Sequence, residues 1–266
     1  MIVNGNELAQ EVIGECKREI GLRKEVPTIM FLFATPDAPT KIFLDRKIAR
    51  ANELGIPVIL KEMAIEQTTA NWVNEIMSSH AHGIVVQLPI PAHLDKEVIL
   101  NTIPPEKDID VLGATNTQKF FNNEYTILPP VVAAIKLLCK KYSVVLENKK
   151  AVIIGQGKLV GFPASIWLRQ EGADVIALDE YSQDFTQSLL EADIIVLGAG
   201  SPSLLKPEMI KEGVVIFDAG TSEQDGKVVG DADPSCATKA RVFTPTPGGI
   251  GPLTVAMVYK NLISSL

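Results

Sequence analysis

The sequence predicts an α/β fold with parallel sheets, divided between two domains, and three observations carry that expectation. Short apolar runs rich in Val and Ile alternate with segments whose apolar residues recur at helical spacing, the pattern of strands joined by crossover helices. Midway along, a Gly-rich turn follows one such run and opens a helix, so a second α/β unit begins there. The length, 266 residues, suits one large domain or two of medium size.

Each element follows from local pattern. Leu8, Val12, Ile13, Cys16 and Ile20 share a helical face. Residues 28–33 are an apolar run of the kind buried in a parallel sheet. Residues 34–40 read as a turn, with Thr40 as cap of a helix over 41–54 that stops at Gly55. A strand at 58–60, a helix over 68–78 and a strand within 82–91, halted by two prolines, complete the first unit. Residues 103–111 read as a loop, 116–126 as a polar connector and 131–141 as a long helix. The second unit has strands at 150–155, 173–179, 192–198 and 214–218, and a helix over 163–171 after the Gly-rich turn. The halves meet near residue 118, and the last helix, after Pro252, is expected to return to the first half.

Composition removes several function classes. A net charge of -7 gives no basic face for nucleic acid, and no apolar run is long enough to span a bilayer. The N-terminus resembles neither a signal nor a transit peptide. Cys16, Cys139 and Cys236 are scattered and odd in number, which suits free buried thiols in a reducing, cytoplasmic compartment. His80, His82 and His93 lack partners at a metal-like spacing, so no metal site is expected.

Candidate chemistry gathers in a few places. Residues 243–257 hold three Pro and three Gly before an apolar tail, a stretch that suits either close approach to a ligand or a stiff turn between domains. Gly155, Gly157 and Gly161 form a dinucleotide-type turn one residue longer than the usual spacing, which an ordinary strand-to-helix turn would also fit. Asp179 ends the next strand, where an acid can accept from both ribose hydroxyls of NAD and repel the 2'-phosphate of NADP. Gly198, Ala199 and Gly220 end two further strands at the edge where ligands of open sheets bind. Phe43 and Lys47 lie four apart on one helix face; Gln87 ends a buried strand and needs a partner there. The charged run 107–110, with Asp110 last, reads on its own as a solvated turn.

Taken together, residues 82–91 (HGIVVQLPIP), 104–110 (PPEKDID), 151–163 (AVIIGQGKLVGFP) and 244–257 (TPTPGGIGPLTVAM) resemble the bifunctional methylenetetrahydrofolate dehydrogenase/cyclohydrolase, or FolD, family. The resemblance runs over nearly the whole chain. It implies a folate-binding catalytic domain over 1–118 plus 252–266, a Rossmann-like NAD(P)-binding domain over 119–251, a cleft between them and a homodimer. It implies oxidation of 5,10-methylenetetrahydrofolate with NADP or NAD, then hydrolysis of the methenyl product to 10-formyltetrahydrofolate. Carried onto this sequence, Lys47 is the acid/base group of hydrolysis, Gln87 its hydrogen-bond partner, and Asp110 an acceptor for the pterin. Phe43, Leu88, Pro89, Pro247, Gly248, Gly249 and Ile250 line the folate. Gly155, Gln156, Gly157, Leu159, Val160, Gly161, Asp179, Gly198, Ala199 and Gly220 hold the dinucleotide.

The chain departs from the family pattern in places. Phe43 stands where the family has Tyr, and keeps stacking without the hydroxyl. Val111 replaces a Gly, and residues 128–131 (LPPV) replace Pro-Cys-Thr-Pro. Gln156 and Gly157 replace Arg-Ser, and residues 179–181 bring no cation for a 2'-phosphate. NAD is therefore expected to serve at least as well as NADP. Two alternatives follow from the departures: a dehydrogenase whose hydrolytic step Phe43 weakens, and a non-catalytic relative that binds folate or dinucleotide.

Overall fold

The computed structural model describes residues 1–34, 38–182 and 185–266, and the backbone alone of Ala38 and Pro39. The chain packs as two units, residues 10–130 with 255–266 and residues 1–9 with 131–254, so the first and last helices each pass from one unit to the other.

In the unit of residues 10–130 and 255–266, a three-stranded parallel sheet has the order β2-β1-β3, with β1 Ile29–Ala34, β2 Val58–Met63 and β3 Gly83–Val86. The central β1 is apolar at every position because neighbours cover both faces; Phe31 and Leu32 are fully buried. Helices α1 Gly5–Gly21, α2 Ala38–Leu54 and α3 Thr69–Met77 occupy the predicted places. Gly55 ends α2 at φ +69, and Thr68 caps α3 through a reciprocal capping box with Asn71. Trp72 and Ile76 of α3 pack on Met30, Leu32 and Ile84.

Thr40 lies inside α2 rather than at its cap, since the helix starts at Ala38; the turn expected before it lies partly outside the described residues. The third strand is shorter than the 82–91 run, ending at Val86 before Gln87. A short helix, α4 Lys96–Asn101, capped by Asp95, was not legible in the sequence. The expected connector 116–126 is in large part a helix, α5 Ala114–Phe121. Its polarity concealed it, yet Phe120 and Asn116 are buried, and the Asn116 amide donates to the Pro105 carbonyl at 2.7 Å.

The other unit holds a five-stranded parallel sheet. Its helices are α6 Pro130–Lys141, α7 Gly161–Gln170 and α8 Thr186–Glu191. Its strands are β4 Lys150–Ile154, β5 Asp174–Leu178, β6 Ile194–Leu197, β7 Val215–Asp218 and β10 Val242–Phe243, in the order β10-β7-β6-β4-β5. The strand order reverses between β4 and β6, which makes the carboxyl ends of these two strands the topological switch point. An antiparallel hairpin, β8 Ser222–Gln224 and β9 Lys227–Val229, follows β7. Residues 1–3 run beside β10: the Val3 amide donates to the Phe243 carbonyl at 2.8 Å and the Phe243 amide to the Met1 carbonyl at 2.9 Å. The last helix, α9 Ile250–Ser264, has Pro252 in its first turn, where no intrahelical amide bond is lost.

All three cysteines are free and buried, and burial pushes the Cys16 and Cys236 thiols up to about 11. No helix among the described residues is long and apolar enough to cross a membrane.

Candidate functional site

Lys47, Gln87 and Asp110 come from three separate segments and meet. Lys47 projects from α2, and its ammonium donates to Gln87 Oε1 at 3.0 Å. Asp110 Oδ2 lies 3.7 Å from the same nitrogen, with both charged side chains nearly buried. Gln87 extends just past the end of β3, and its amide nitrogen donates to the Leu88 carbonyl at 3.2 Å. The need for a partner at a buried strand end is thus met by a lysine 40 residues away in sequence. A cation, an amide and a carboxylate held together can bind a polar heterocycle and move a proton.

The run 107–110 is not a solvated turn. Asp108 is buried and its carboxylate accepts from the Leu112 amide at 3.1 Å, the Gly113 amide at 3.0 Å and the Asn116 side chain at 3.3 Å. Burial outweighs these donors and raises Asp108 from 3.8 to about 6. Asp108 thus shapes the loop that carries Asp110. The residue after Asp110, Val111, sits at φ +58, a left-handed conformation costly for a β-branched side chain. The glycine found there in the FolD-like pattern would take that φ without strain.

Two residues of α9 support this cluster and were not foreseen. The Tyr259 hydroxyl donates to the Lys47 backbone carbonyl, and the Asn261 amide donates to the carbonyls of Ile109 at 2.9 Å and Leu128 at 2.8 Å. Burial pushes the Tyr259 phenol well above its usual range. The available signal was their polarity inside an apolar helix. Phe43, one turn before Lys47, is half-buried, with the Arg46 guanidinium 5.8 Å from its ring centroid. Leu88 is half-buried and Pro89 exposed.

The other unit brings the glycines together at the switch point. A Cβ on Gly161 would stand 1.6 Å from the Gly155 carbonyl oxygen, and one on Gly155 would stand 2.5 Å from that of Gly198. A Cβ on Gly198 would meet the Val160 side chain at 2.5 Å, so Val160 packs across the strand ends while Leu159 points outward, 48% exposed. Gly157 differs: its chain neighbours aside, a Cβ there meets no atom of the described residues within 4 Å. Its backbone borders open space, the fit required of a turn that lets phosphate approach. The Gln156 side chain folds back, donating to the Gly155 carbonyl at 3.2 Å and accepting from the Ser165 hydroxyl at 3.3 Å. Asp179 is exposed just beyond β5, and Oδ1 accepts from the Tyr181 amide at 3.0 Å and the Ser182 hydroxyl at 2.8 Å. These bonds, the Ser182 hydroxyl first, hold its carboxyl below the ordinary range.

Ala199 is exposed and Gly220 buried. Two carboxylates lie buried beside them: Asp218, which ends the predicted 214–218 strand, and Asp231, which the sequence did not single out. Pro247, Gly248, Gly249 and Ile250 also belong to this unit and form the turn into α9. The Gly5 amide, at the start of α1, donates to the Gly248 carbonyl at 2.8 Å. Gly248 has φ +101, and a Cβ on Gly249 would stand 2.5 Å from the Pro245 carbonyl oxygen.

Known proteins resemble this chain over nearly its whole length. The family model for the tetrahydrofolate dehydrogenase/cyclohydrolase catalytic domain matches residues 3–110, and that for its NAD(P)-binding domain matches residues 129–266. The bifunctional protein FolD of Hydrogenobaculum is 32% identical over 99% of this chain and 98% of its own. That of Staphylococcus aureus strain N315 is 34% identical over 98% and 95%. The solved structure of the bifunctional enzyme FolD from Campylobacter jejuni superposes with a TM-score of 0.93 at 30% identity, covering 100% of this chain and 98% of that one. The Trypanosoma brucei enzyme, solved with NADP and an inhibitor, gives 0.94 at 29% identity over 100% and 96%. With matches over nearly its full length and a fold shared to the last helix, the chain belongs to the tetrahydrofolate dehydrogenase/cyclohydrolase family.

Proposed function

We propose that this protein oxidises 5,10-methylenetetrahydrofolate to the methenyl compound with NAD or NADP, and hydrolyses that product to 10-formyltetrahydrofolate. The observation that carries the reading is the Lys47–Gln87–Asp110 cluster, formed in a chain that belongs to this family throughout. The folate is assigned to residues 1–118 with 252–266, and the dinucleotide to 119–251.

In hydrolysis, water adds to the methenyl carbon, and that oxygen loses both protons as it becomes the formyl carbonyl. The bond from this carbon to N5 breaks, and N5 takes one of the protons while the other is released. Lys47 Nζ, positioned by Gln87 and Asp110, is the group assigned to carry a proton, taking it from the oxygen as the neutral amine and giving it up as the ammonium. An ionised carboxylate has several acceptor sites, so Asp110 can also accept from the pterin while paired with Lys47. Phe43 supplies a face for the pterin ring, and Leu88 and Pro89 extend the folate surface within the same unit. When bound, the dinucleotide takes the hydride; the protein binds and aligns it through the Gly155–Gly161 turn and the strand ends at Gly198, Ala199 and Gly220.

NAD is assigned as at least as good a substrate as NADP. The exposed Asp179 carboxylate supports this, as does Gln156, which bonds to its own turn where the family pattern has Arg. A homodimer is supported by β5, an edge strand with exposed Ile176 and no second strand neighbour among the described residues. A mass equal to one chain by light scattering at micromolar concentration refutes it. A cytoplasmic location is supported by the three unpaired buried thiols; recovery of the protein from a secreted fraction refutes it.

The deciding experiment follows reduced nicotinamide and the methenyl compound separately, with 5,10-methylenetetrahydrofolate and either dinucleotide. Reduction with kcat/KM for NAD at or above that for NADP is expected, with the methenyl species consumed. A strong NADP preference overturns the cofactor assignment. Persistence of the methenyl species favours the dehydrogenase-only reading that Phe43 motivates. Folded protein that reduces neither dinucleotide overturns the enzymatic reading in favour of a binding protein.

A further inference from the structure

The dinucleotide edge contains a lock built from two buried aspartates, one ending β7 and one outside every motif noted in the sequence. Asp231 follows β9 and is fully buried. Its Oδ2 accepts from the backbone amides of Ala199 at 2.7 Å and Gly200 at 3.1 Å, and its Oδ1 from the amide of Ser201 at 2.8 Å. Three consecutive amides at the carboxyl end of β6 therefore converge on one carboxylate, the arrangement that elsewhere binds a free anion. Gly220 makes room for it, since a Cβ there would stand 2.1 Å from Asp231 Cγ.

Asp218, the last residue of β7, secures the other side. Its carboxylate accepts from the amides of Gly220 at 2.9 Å, Asp231 at 3.3 Å and Ala232 at 2.9 Å. Gly230 in turn leaves space for Asp218, as a Cβ there would lie 2.1 Å from Asp218 Oδ2. The hairpin β8–β9 is thus tied at both ends, and its far tie holds the loop after β6 at the switch point.

We propose that Asp231 is a positioning residue for the dinucleotide: an internal anion that occupies the amides of residues 199–201, fixes that loop, and leaves the Gly155–Gly161 turn as the place for phosphate. This rests on the dehydrogenase reading above. A bound phosphate cannot compete for amides already paired with a carboxylate, and the negative charge at β6 turns it toward the open backbone at Gly157.

The test uses Asp231→Asn in the full-length protein. The amide keeps the shape but presents N–H to at least one of the three backbone donors. The dissociation constant for reduced dinucleotide, read by nicotinamide fluorescence, is expected to rise about tenfold or more. Hydrolysis of the methenyl compound, which uses no dinucleotide, is expected to keep wild-type kcat and KM. Unchanged dinucleotide affinity in folded Asp231→Asn overturns the proposal. A wild type that binds no dinucleotide overturns the dehydrogenase reading instead, and the proposal with it. Amide hydrogen exchange of the wild type adds a measurement that does not depend on the variant folding. Residues 199–201 should be protected before any dinucleotide is added; exchange at the rate of an unstructured chain overturns the lock.

Discussion

Gly157→Ala separates binding from stability at the Gly-rich turn. The structure places the new methyl in open space, with no atom of the described residues beyond its chain neighbours within 4 Å, and Gly157 is not among the glycines at positive φ. A Gly→Ala change at such a site stabilises by about 0.4–1 kcal/mol, mainly by restricting the unfolded chain. For a chain of this size that corresponds to a rise in Tm of about 1–4 °C. If phosphate approaches this backbone, however, the methyl stands in its path. Losing one hydrogen bond to a charged group costs about 1.5–3 kcal/mol, or roughly 10- to 150-fold in affinity. Calorimetric titration with NAD, alongside thermal unfolding, reads both effects. Gly161→Ala is the opposite control: its Cβ would overlap the Gly155 carbonyl oxygen at 1.6 Å, so it should lower Tm as well as affinity. Wild-type affinity in Gly157→Ala would show that phosphate does not sit at this turn. A lowered Tm would show that the space beside Gly157 is filled.

Three further outcomes follow. Lys47→Ala, which strands Asp110 and Gln87 without their cation, should lower hydrolysis of the methenyl compound by about 10²–10⁴-fold, the range for loss of an acid/base group, and leave NAD affinity unchanged; Phe43→Tyr should raise hydrolysis, and no rise would show that the missing hydroxyl is not limiting. Asp108 should make stability fall with rising pH: its folded value, about 6, exceeds the ordinary 3.8, so the native state holds a proton that the unfolded chain has lost. Its stabilising contribution is complete below about pH 4 and lost as pH rises through about 6, a difference of about 3 kcal/mol. Urea unfolding from pH 4 to 7 should show a shallower decline for Asp108→Asn than for the wild type, and parallel profiles would refute the assignment.

Local pattern determined the repeating strands and helices, because burial of a parallel sheet demands apolar runs such as Ile29–Ala34, and crossover helices demand a period of 3.6. It also marked Gln87 and the glycines, since an apolar strand ending in an amide and a strand-to-helix turn rich in glycine are local signals; Lys47, by pattern alone a surface charge, was singled out by the family resemblance. Polarity misled where a helix buried few residues, as α5 does with Asn116 and Phe120. What local pattern could not supply is pairing across the chain. That Asp110 faces Lys47 while Asp108 is spent on its own loop depends on which way each carboxylate turns, and two residues of separation do not say. Tyr259 reaches Lys47 across 212 positions, and Asp231 reaches Ala199 across 32. Only the tertiary structure decided these contacts, because a buried donor or acceptor takes whichever partner packing brings within reach.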